Sequence, residues 1–139
     1  MHKKTYLRNV IFIMTLLFSI SLSAQTGSEV IKNWTALEEA EFHYDVSYTV
    51  VKCTPSATAM VLLNAFNEDG TNPKVGFTLA ISDAAGNTAE VVITPFASNL
   101  GDMRIASCDS NEYPYLKFEV PAGIDTASIK IDITYQTGS

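Results

Sequence analysis

The sequence predicts an all-β fold, an antiparallel β-sandwich of about seven strands. Apolar and polar residues alternate over several short stretches, which is the period of a half-buried strand. Glycine, proline and asparagine residues fill the segments between these stretches. Two cysteines, Cys53 and Cys108, are far enough apart in the chain to join strands that are distant in sequence.

The first 24 residues have the layout of a secretory signal peptide. Lys3, Lys4 and Arg8 precede the apolar run 10–20, and small residues lead up to Ala24. That run is shorter than the roughly 20 residues that span a bilayer. We therefore predict cleavage after Ala24, a secreted or periplasmic location, and no membrane insertion once the signal peptide is removed.

The chain is strongly acidic beyond the signal peptide. Three of its nine basic residues precede Gln25, which leaves six against fifteen acidic residues and a net charge of −9. Such a charge repels phosphate backbones and anionic membranes. Nucleic acid is therefore an unfavourable partner.

Residues 25–40 are predicted to form an irregular or weakly helical lead-in, in which Trp34 caps one end of the core. The β-sandwich domain is predicted to span residues 41–139. Its first strand covers residues 41–53. One parity of this strand faces the core: Phe42, Tyr44, Val46, Tyr48 and Val50.

Three further strands are predicted up to residue 94. The second, at about 58–67, is apolar on both parities, which is typical of a strand covered on both sides. The third covers 74–82, and the fourth covers 88–94 because Pro95 cannot donate to a β-ladder. The residues expected in the core are Val61, Leu63, Ala65, Val75, Phe77, Leu79, Ile81, Val91 and Ile93.

The last three strands are predicted at about 102–108, 113–120 and 126–136. The fifth strand points Met103 and Ile105 to one side. Alternation in the other two directs these residues inward: Leu116, Phe118, Val120, Ile129, Ile131, Ile133 and Tyr135. The opposite parity of the sixth strand then faces solvent: Tyr113, Tyr115, Lys117 and Glu119.

Short strands at this spacing fit an antiparallel sandwich of immunoglobulin-like or fibronectin type III-like kind. A small closed barrel is the alternative. The Cys-Trp-Cys order of antibody domains is absent from the sequence, because Trp34 precedes both cysteines. The architecture is therefore predicted without that lineage.

The chain also resembles small secreted β-sandwich proteins of Bacteroidota. The residues that carry the resemblance are Trp34, 42–48, Cys53, 61–67, 101–108 and 116–118. The Ala24-Gln25 junction is similar to signal cleavage sites of that group, and Asp125-Thr126-Ala127 is similar to its short O-glycosylation acceptor. The resemblance implies a fold, a compartment and a modification site at Thr126, but no established activity.

Cys53 and Cys108 predict one disulfide bond, since two cysteines in a small exported domain usually pair. Cys53 shares parity with His43, and Cys108 shares parity with Arg104. Both cysteines are therefore expected on the outward side of their strands. We expect a bridge that joins strand ends at the rim and does not cross the core.

The residues do not predict an enzyme. His43 shares parity with Asp45 and Ser47, but side chains two apart on a strand point in parallel and do not form a catalytic triad. The two cysteines are expected to pair with each other in preference to zinc, and the loop 67–72 lacks the spacing of a calcium loop. We predict a non-catalytic module without a cofactor.

Two binding functions fit this prediction. A protein-interaction module is predicted from the second strand, whose outer apolar side a second copy or a partner sheet would cover. The alternative is a carbohydrate-binding module that uses Tyr113 and Tyr115 as exposed ligand-binding residues, with Lys117 beside them.

Overall fold

The structure is a computed structural model that describes residues 27–71 and 73–137. The predicted signal peptide and its cleavage after Ala24 lie outside these residues. Within the described part of the chain, no helix has the length and apolar character to cross a membrane.

The described residues form eight strands and one short 3-10 helix. In chain order they are β1 (Glu29–Ala36), β2 (Tyr44–Lys52), β3 (Met60–Asn67), β4 (Lys74–Ser82), β5 (Thr88–Ala97), β6 (Met103–Ile105), the 3-10 helix (Pro114–Leu116), β7 (Lys117–Glu119) and β8 (Lys130–Thr137). The prediction of an all-β sandwich is confirmed.

The strands form two antiparallel sheets. Sheet A has the order β1-β2-β3, and the far edge of β3 pairs with β6 and, further along, with β7. Sheet B has the order β5-β4-β8. One hydrophobic core draws on both sheets. Each sheet thus has an inner face on this core and an outer face.

The predicted inward parities are largely confirmed. β4 has the bounds predicted for it, and its alternate residues Val75, Phe77 and Leu79 are fully buried. Val61 and Leu63 in β3 are also fully buried. The predicted inward residues of the first strand from Tyr44 onward are buried as well: Tyr44, Val46, Tyr48 and Val50.

The prediction of an irregular lead-in is wrong for Glu29–Ala36, which is strand β1 of sheet A. Its register shifts twice against β2, between Val30 and Lys32 and again between Lys32 and Thr35. These irregularities break the two-residue period that reveals a strand in a sequence. The sandwich therefore begins before residue 41.

The first register shift turns Lys32 toward the interior. Its Nζ donates a hydrogen bond to the Ile129 carbonyl at 3.0 Å and lies 5.5 Å from the centre of the Tyr48 ring. Thr49 Oγ1 donates to the Lys32 carbonyl at 2.6 Å. Trp34 does not cap the core, because it lies on the outer face with 48% of its surface exposed.

Strand β5 does not stop at Pro95, as the sequence predicted, but continues to Ala97. The missing backbone N–H of Pro95 is tolerated because β5 is an edge strand. The register of β5 against β4 also shifts at this point, around Gly76. A Cβ on Gly76 would lie 2.7 Å from both Ile93 O and Pro95 N. Glycine at this position lets the shifted edge strand approach.

The predicted strand 113–120 is wrong in its first half. Pro114 begins a 3-10 helix, and Leu116 N–H donates to the Tyr113 carbonyl at 3.0 Å. Proline favours the first turn of a helix, where its missing N–H is not needed. Leu116 is buried as predicted, but residues 113–116 do not alternate across a sheet.

Strand β6 is shorter than predicted, and its Arg104 points inward where the sequence predicted an outward position. Met103 and Ile105 share one side as predicted, and it is the outer side, where they are 54% and 47% exposed. Arg104 pairs with core-facing Ala65 and points inward. The expectation that Arg104 and Cys108 share the outward parity of one strand fails because β6 ends at Ile105.

The last strand begins at Lys130, later than predicted, because a turn stabilised by Asp83 precedes it. The Asp83 carboxylate accepts hydrogen bonds from the backbone of Asp125 and from Asn87, and these bonds lower its pKa. Thr126 lies half-buried in this turn. Its glycosylation stays a prediction.

Candidate functional site

An apolar groove of about 340 Å³ crosses the outer face of sheet A. We call it the outer groove. Its floor is formed by Thr49, Val51 and Leu62, which lie in the half of β2 and β3 that is nearer to Cys53. Val30 and Trp34 of β1 form one wall, and Ile105 with the segment up to Asp109 forms the other.

The floor of the outer groove follows from the double apolar parity of β3. Leu63 fills the core, so Leu62 must point to the outer face. Leu62 is nevertheless only 5% exposed, because the walls of the groove surround it. The predicted second strand with two apolar sides is therefore present, and its outer side opens into a groove.

The walls of the outer groove are the exposed part. Val30, Trp34 and Ile105 are between 47% and 55% exposed, and Met103 extends the same apolar surface along β6. Six large hydrophobic residues of the described chain are exposed, and four of them lie on this face. Exposed apolar residues are thus concentrated around one groove and not scattered over the surface.

The predicted disulfide between Cys53 and Cys108 is present, with a Cα–Cα distance of 5.4 Å. Cys53 follows β2 and Cys108 follows β6, and these strands flank β3 in one sheet. The bridge therefore joins strand ends within sheet A, as predicted, and does not link the two sheets. Cys108 also lines the outer groove, so the disulfide fixes part of its wall.

The outer groove carries little charge. Among its described lining residues, Asp109 is the one charged side chain. This neutrality contrasts with the net charge of −9 beyond the predicted signal peptide. Lys117 lies at the edge of the groove, since it pairs with Leu62 and its Nζ donates to the carbonyl of the lining residue Ser107. The groove therefore offers mainly apolar contact, with few charges at its edge.

The predicted ligand-binding tyrosines lie in an aromatic cluster between the sheets. Tyr115 accepts a hydrogen bond from Arg104 Nη1 at 2.7 Å, and its ring centre lies 4.9 Å from that of Phe96. Tyr113 meets Tyr115 edge to face, with ring centres 6.3 Å apart and an interplanar angle of 70°. Both tyrosines are half-buried.

The structure does not place these tyrosines beside Lys117 on one exposed strand face. The 3-10 helix removes the alternation on which that expectation depended. Lys117 Nζ instead donates to the carbonyls of Ser110 at 2.8 Å and Ser107 at 3.3 Å. A ligand-binding role for Tyr113, Tyr115 and Lys117 stays a prediction.

An acidic cluster lies at the opposite end of β2 from the disulfide. His43 Nδ1 lies 2.7 Å from Glu39 Oε1 and 4.0 Å from Glu68 Oε2, and all three side chains are exposed. The hydrogen bond that His43 donates to the Glu39 carboxylate raises the pKa of His43, and the nearby Asp45 carboxylate raises the pKa of Glu68.

The chemistry of this cluster is that of an exposed ion pair. Donor atoms of Glu39, His43 and Glu68 lie within 4.8 Å of one another, so these residue types could hold a metal ion. The imidazole bonds to Glu39 and not along β2 toward Asp45 and Ser47. A protonated imidazole paired with carboxylates accounts for this geometry by itself.

A second cavity, of about 390 Å³, adjoins the acidic cluster. It is lined by residues 38–42, Ile133 and Tyr135. Burial and the charge of Asp45 raise the pKa of Tyr135. The two cavities therefore differ in character, since three glutamates surround this one and the outer groove is nearly neutral.

Sequence reasoning found the floor of the outer groove but missed its walls. The signal for the floor was the apolar outer parity of β3, which includes Leu62. Val30 and Trp34 were assigned to the lead-in, and their strand has an irregular period. Ile105 joins them only because β6 pairs with β3, a pairing between distant segments.

Comparison with known proteins identifies no relatives of this chain. No family model matches it, and no curated protein and no solved structure gives a significant match.

Proposed function

We propose that this protein is a non-catalytic, secreted binding module that contacts another protein through the outer groove. The observation that carries the proposal is the apolar surface that surrounds Leu62 on sheet A, with Val30, Trp34 and Ile105 about half exposed. Leaving such residues in water is unfavourable, and covering them contributes roughly 25 cal/mol for each Å² of apolar surface. A covering protein surface would recover that free energy.

The residue types of the walls support a protein partner. Trp34 is of the type most often found at energetic hot spots of protein interfaces, and it stands next to a depression in whose described lining Asp109 is the one charged residue. Rigid aromatic and branched side chains bind with little loss of rotamer entropy. The groove therefore suits apolar side chains that project from a partner.

The disulfide supports the proposed compartment. A disulfide between Cys53 and Cys108 persists in the periplasm or outside the cell, where the environment is oxidising. The proposed secretion also agrees with the predicted signal peptide and with the resemblance to secreted β-sandwich proteins.

The carbohydrate alternative has weaker support from geometry. Tyr113 and Tyr115 meet edge to face and are tied to Phe96 and Arg104, so they do not present one flat platform for successive sugar rings. The alternative predicts that Tyr113→Ala with Tyr115→Ala removes glycan binding.

A retention experiment with matched variants tests the proposal. The purified protein is immobilised, and proteins retained from an extract of its source are quantified by mass spectrometry. Ile105→Glu places a charge on the groove wall, and Val92→Glu places the same charge on the outer face of sheet B at similar exposure. In parallel, a panel of soluble glycans is tested for binding.

We expect the same proteins to be retained by the native protein and by Val92→Glu, and their amount to fall at least about tenfold with Ile105→Glu. Equal retention by all three proteins would contradict the proposal. Glycan binding that disappears in the double tyrosine variant, without groove-dependent retention, would favour the carbohydrate alternative.

A further inference from the structure

We propose that the cavity between the β1–β2 connection and strand β8 binds a small organic cation, a protonated amine with an apolar body. The cavity is lined by residues 38–42, which connect β1 and β2, and by Ile133 and Tyr135 of β8. We call it the edge cavity, because β8 is an edge strand of sheet B. Its volume of about 390 Å³ is within the range of small-molecule sites, about 300 to 1,000 Å³.

The floor of the edge cavity is apolar and continuous with the core. Phe42, Ile133 and Tyr135 are half-buried and pack against the core residues. The rings of Phe42 and Tyr135 meet edge to face, with centres 6.0 Å apart and an interplanar angle of 80°. The hydroxyl oxygen of Tyr135 is itself buried, so the ring provides its part of the lining. The floor therefore offers apolar contact to the body of a ligand and aromatic rings that attract a cation.

The rim of the edge cavity is acidic, and its charge is only partly neutralised. Glu38, Glu39 and Glu41 line the cavity and are exposed, and none of its described lining residues is basic. Glu39 pairs with His43. Glu38 and Glu41 have no ion-pair partner within the part of the chain that the structure describes. A ligand complementary to this rim is therefore positively charged.

The negative potential extends to the floor of the cavity. Burial raises the pKa of Tyr135, and the charges of Asp45 and Glu38 raise it further. Carboxylates that disfavour a negative charge on the Tyr135 ring also favour a cation next to it. They disfavour an anion of the same shape, so the charge of a ligand is decisive for its binding.

The turn that carries Phe42 is held in place by backbone hydrogen bonds. His43 N–H donates to the Ala40 carbonyl at 2.9 Å, and Ala40 N–H donates to the Tyr44 carbonyl at 3.3 Å. Glu68 N–H donates to the His43 carbonyl at 3.0 Å, which ties the turn to the residue after β3. This side of the cavity is therefore preformed, and a ligand can bind without ordering a loop.

An amine fits the edge cavity better than a metal ion does. The donor atoms that could converge on a metal belong to Glu39, His43 and Glu68, and of these residues Glu39 alone lines the cavity. The apolar floor offers a metal ion no ligand atom. An ammonium group on an apolar body contacts both the carboxylates of the rim and the rings of the floor.

Titrations with three molecules of similar shape and different charge test the inference. At neutral pH phenethylamine is a cation, 2-phenylethanol is neutral and phenylacetate is an anion. Each is added to about 20 mM, and amide shifts in ¹H–¹⁵N spectra report where it binds. We expect phenethylamine to shift residues 38–42 and 133–135 with a dissociation constant of about 1 mM or below. The other two molecules should cause no shifts there.

Matched charge variants assign the binding to the rim. Glu38→Gln with Glu41→Gln removes two negative charges from the rim, whereas Glu90→Gln with Glu119→Gln removes two exposed ones from β5 and β7. We expect the first pair to weaken phenethylamine binding at least about threefold and the second pair less than about twofold. Raising the salt concentration from about 20 mM to about 500 mM should also weaken binding to the native protein at least about threefold.

The absence of phenethylamine binding up to about 20 mM would overturn the inference. So would equal shifts with phenethylamine and 2-phenylethanol, or phenethylamine shifts only outside the edge cavity. An equal loss of affinity in the two double variants would overturn it as well, because it would show a response to net charge alone. If a variant misfolds, as detected by circular dichroism, the salt dependence of the native protein decides, and an unchanged affinity contradicts the acidic rim. None of these outcomes depends on the outer groove, so the proposed function is tested separately.

Discussion

The two outer faces of this sandwich differ although both sheets share one core. On sheet B, the outward residues of the central strand β4 are small or polar: Thr78, Ala80 and Ser82. Gln136 donates to Thr78 across the face at 3.0 Å. On sheet A, the corresponding central strand β3 directs Leu62 outward into an apolar groove.

This difference shows that alternation identifies the inner face of a sheet but leaves the outer face undetermined. Both β3 and β4 supply buried residues at every second position, such as Leu63 and Leu79. The central strand of sheet B carries small or polar residues at the other positions, which water can contact without a large cost. The central strand of sheet A carries apolar residues such as Leu62 there, and they form part of the surface through which we propose that the protein binds.

Removal of the disulfide is the largest change expected, and it should affect the two sheets unequally. Cys53 and Cys108 close a loop with a sequence separation of 55, for which the chain-entropy model gives about 4 kcal/mol. We expect Cys53→Ala with Cys108→Ala to lower the free energy of unfolding by about that amount, measured by urea denaturation. Amide exchange should increase more in β6 than in β4. Equal increases in both sheets would contradict a bridge that acts within sheet A.

Truncation of two adjacent leucines compares the inner and outer faces directly. Leu63→Ala opens a cavity in the shared core and should cost about 4 kcal/mol in the free energy of unfolding. Leu62 lies under the open groove, so water can enter the space that Leu62→Ala vacates. This substitution should cost about 2 kcal/mol in the free energy of unfolding. Urea denaturation of both variants measures the difference. Equal costs would indicate that the floor of the groove is as closed as the core.

A change of pH should act on the acidic end of the molecule and leave the outer groove unaffected. The hydrogen bond that His43 donates to the Glu39 carboxylate raises the pKa of His43. The stabilisation of the fold by this ion pair is therefore fully present below the pKa of about 6.5 that His43 has in the unfolded chain. It is lost as pH rises through the raised pKa of His43 in the folded protein. Glu39→Gln should lower the melting temperature more at pH 5.5 than at pH 8.5. A pH-independent difference would contradict the ion pair.

Charge substitution on the two outer faces should have the smallest effect on stability. Ile105→Glu and Val92→Glu replace side chains that are 47% and 54% exposed. Substitutions at exposed sites usually change the free energy of unfolding by less than about 0.5 kcal/mol. Thermal melting of the two variants should give nearly equal melting temperatures. A large decrease in melting temperature for Ile105→Glu alone would show that β6 needs the outer side chain of Ile105 for folding.

The predictable part of the fold was the part with regular alternation. Residues 74–82 match strand β4, and the parity of the last strand places Ile129 and Ile131 in the core. Elements with bulges or helical turns were not predictable. The two register shifts concealed β1, and Pro114 began a 3-10 helix where a strand was expected.

The candidate site was only half predictable, for a related reason. Leu62 was recognisable because β3 is apolar on both parities. The groove also requires Trp34 and Ile105 on either side of it, and these residues are 28 and 43 residues away from Leu62 in sequence. Such neighbours follow from sheet topology, which local patterns do not determine.

Titration of the protein with indole tests most directly whether the outer face of sheet A is the binding surface. Indole reproduces the ring of Trp34, and amide shifts in ¹H–¹⁵N spectra report where it binds whatever the natural partner is. We expect shifts confined to the groove, at Thr49, Val51, Leu62 and Ile105, and none along β4, β5 or β8. Shifts along sheet B, or none up to the solubility limit of indole, would contradict the account.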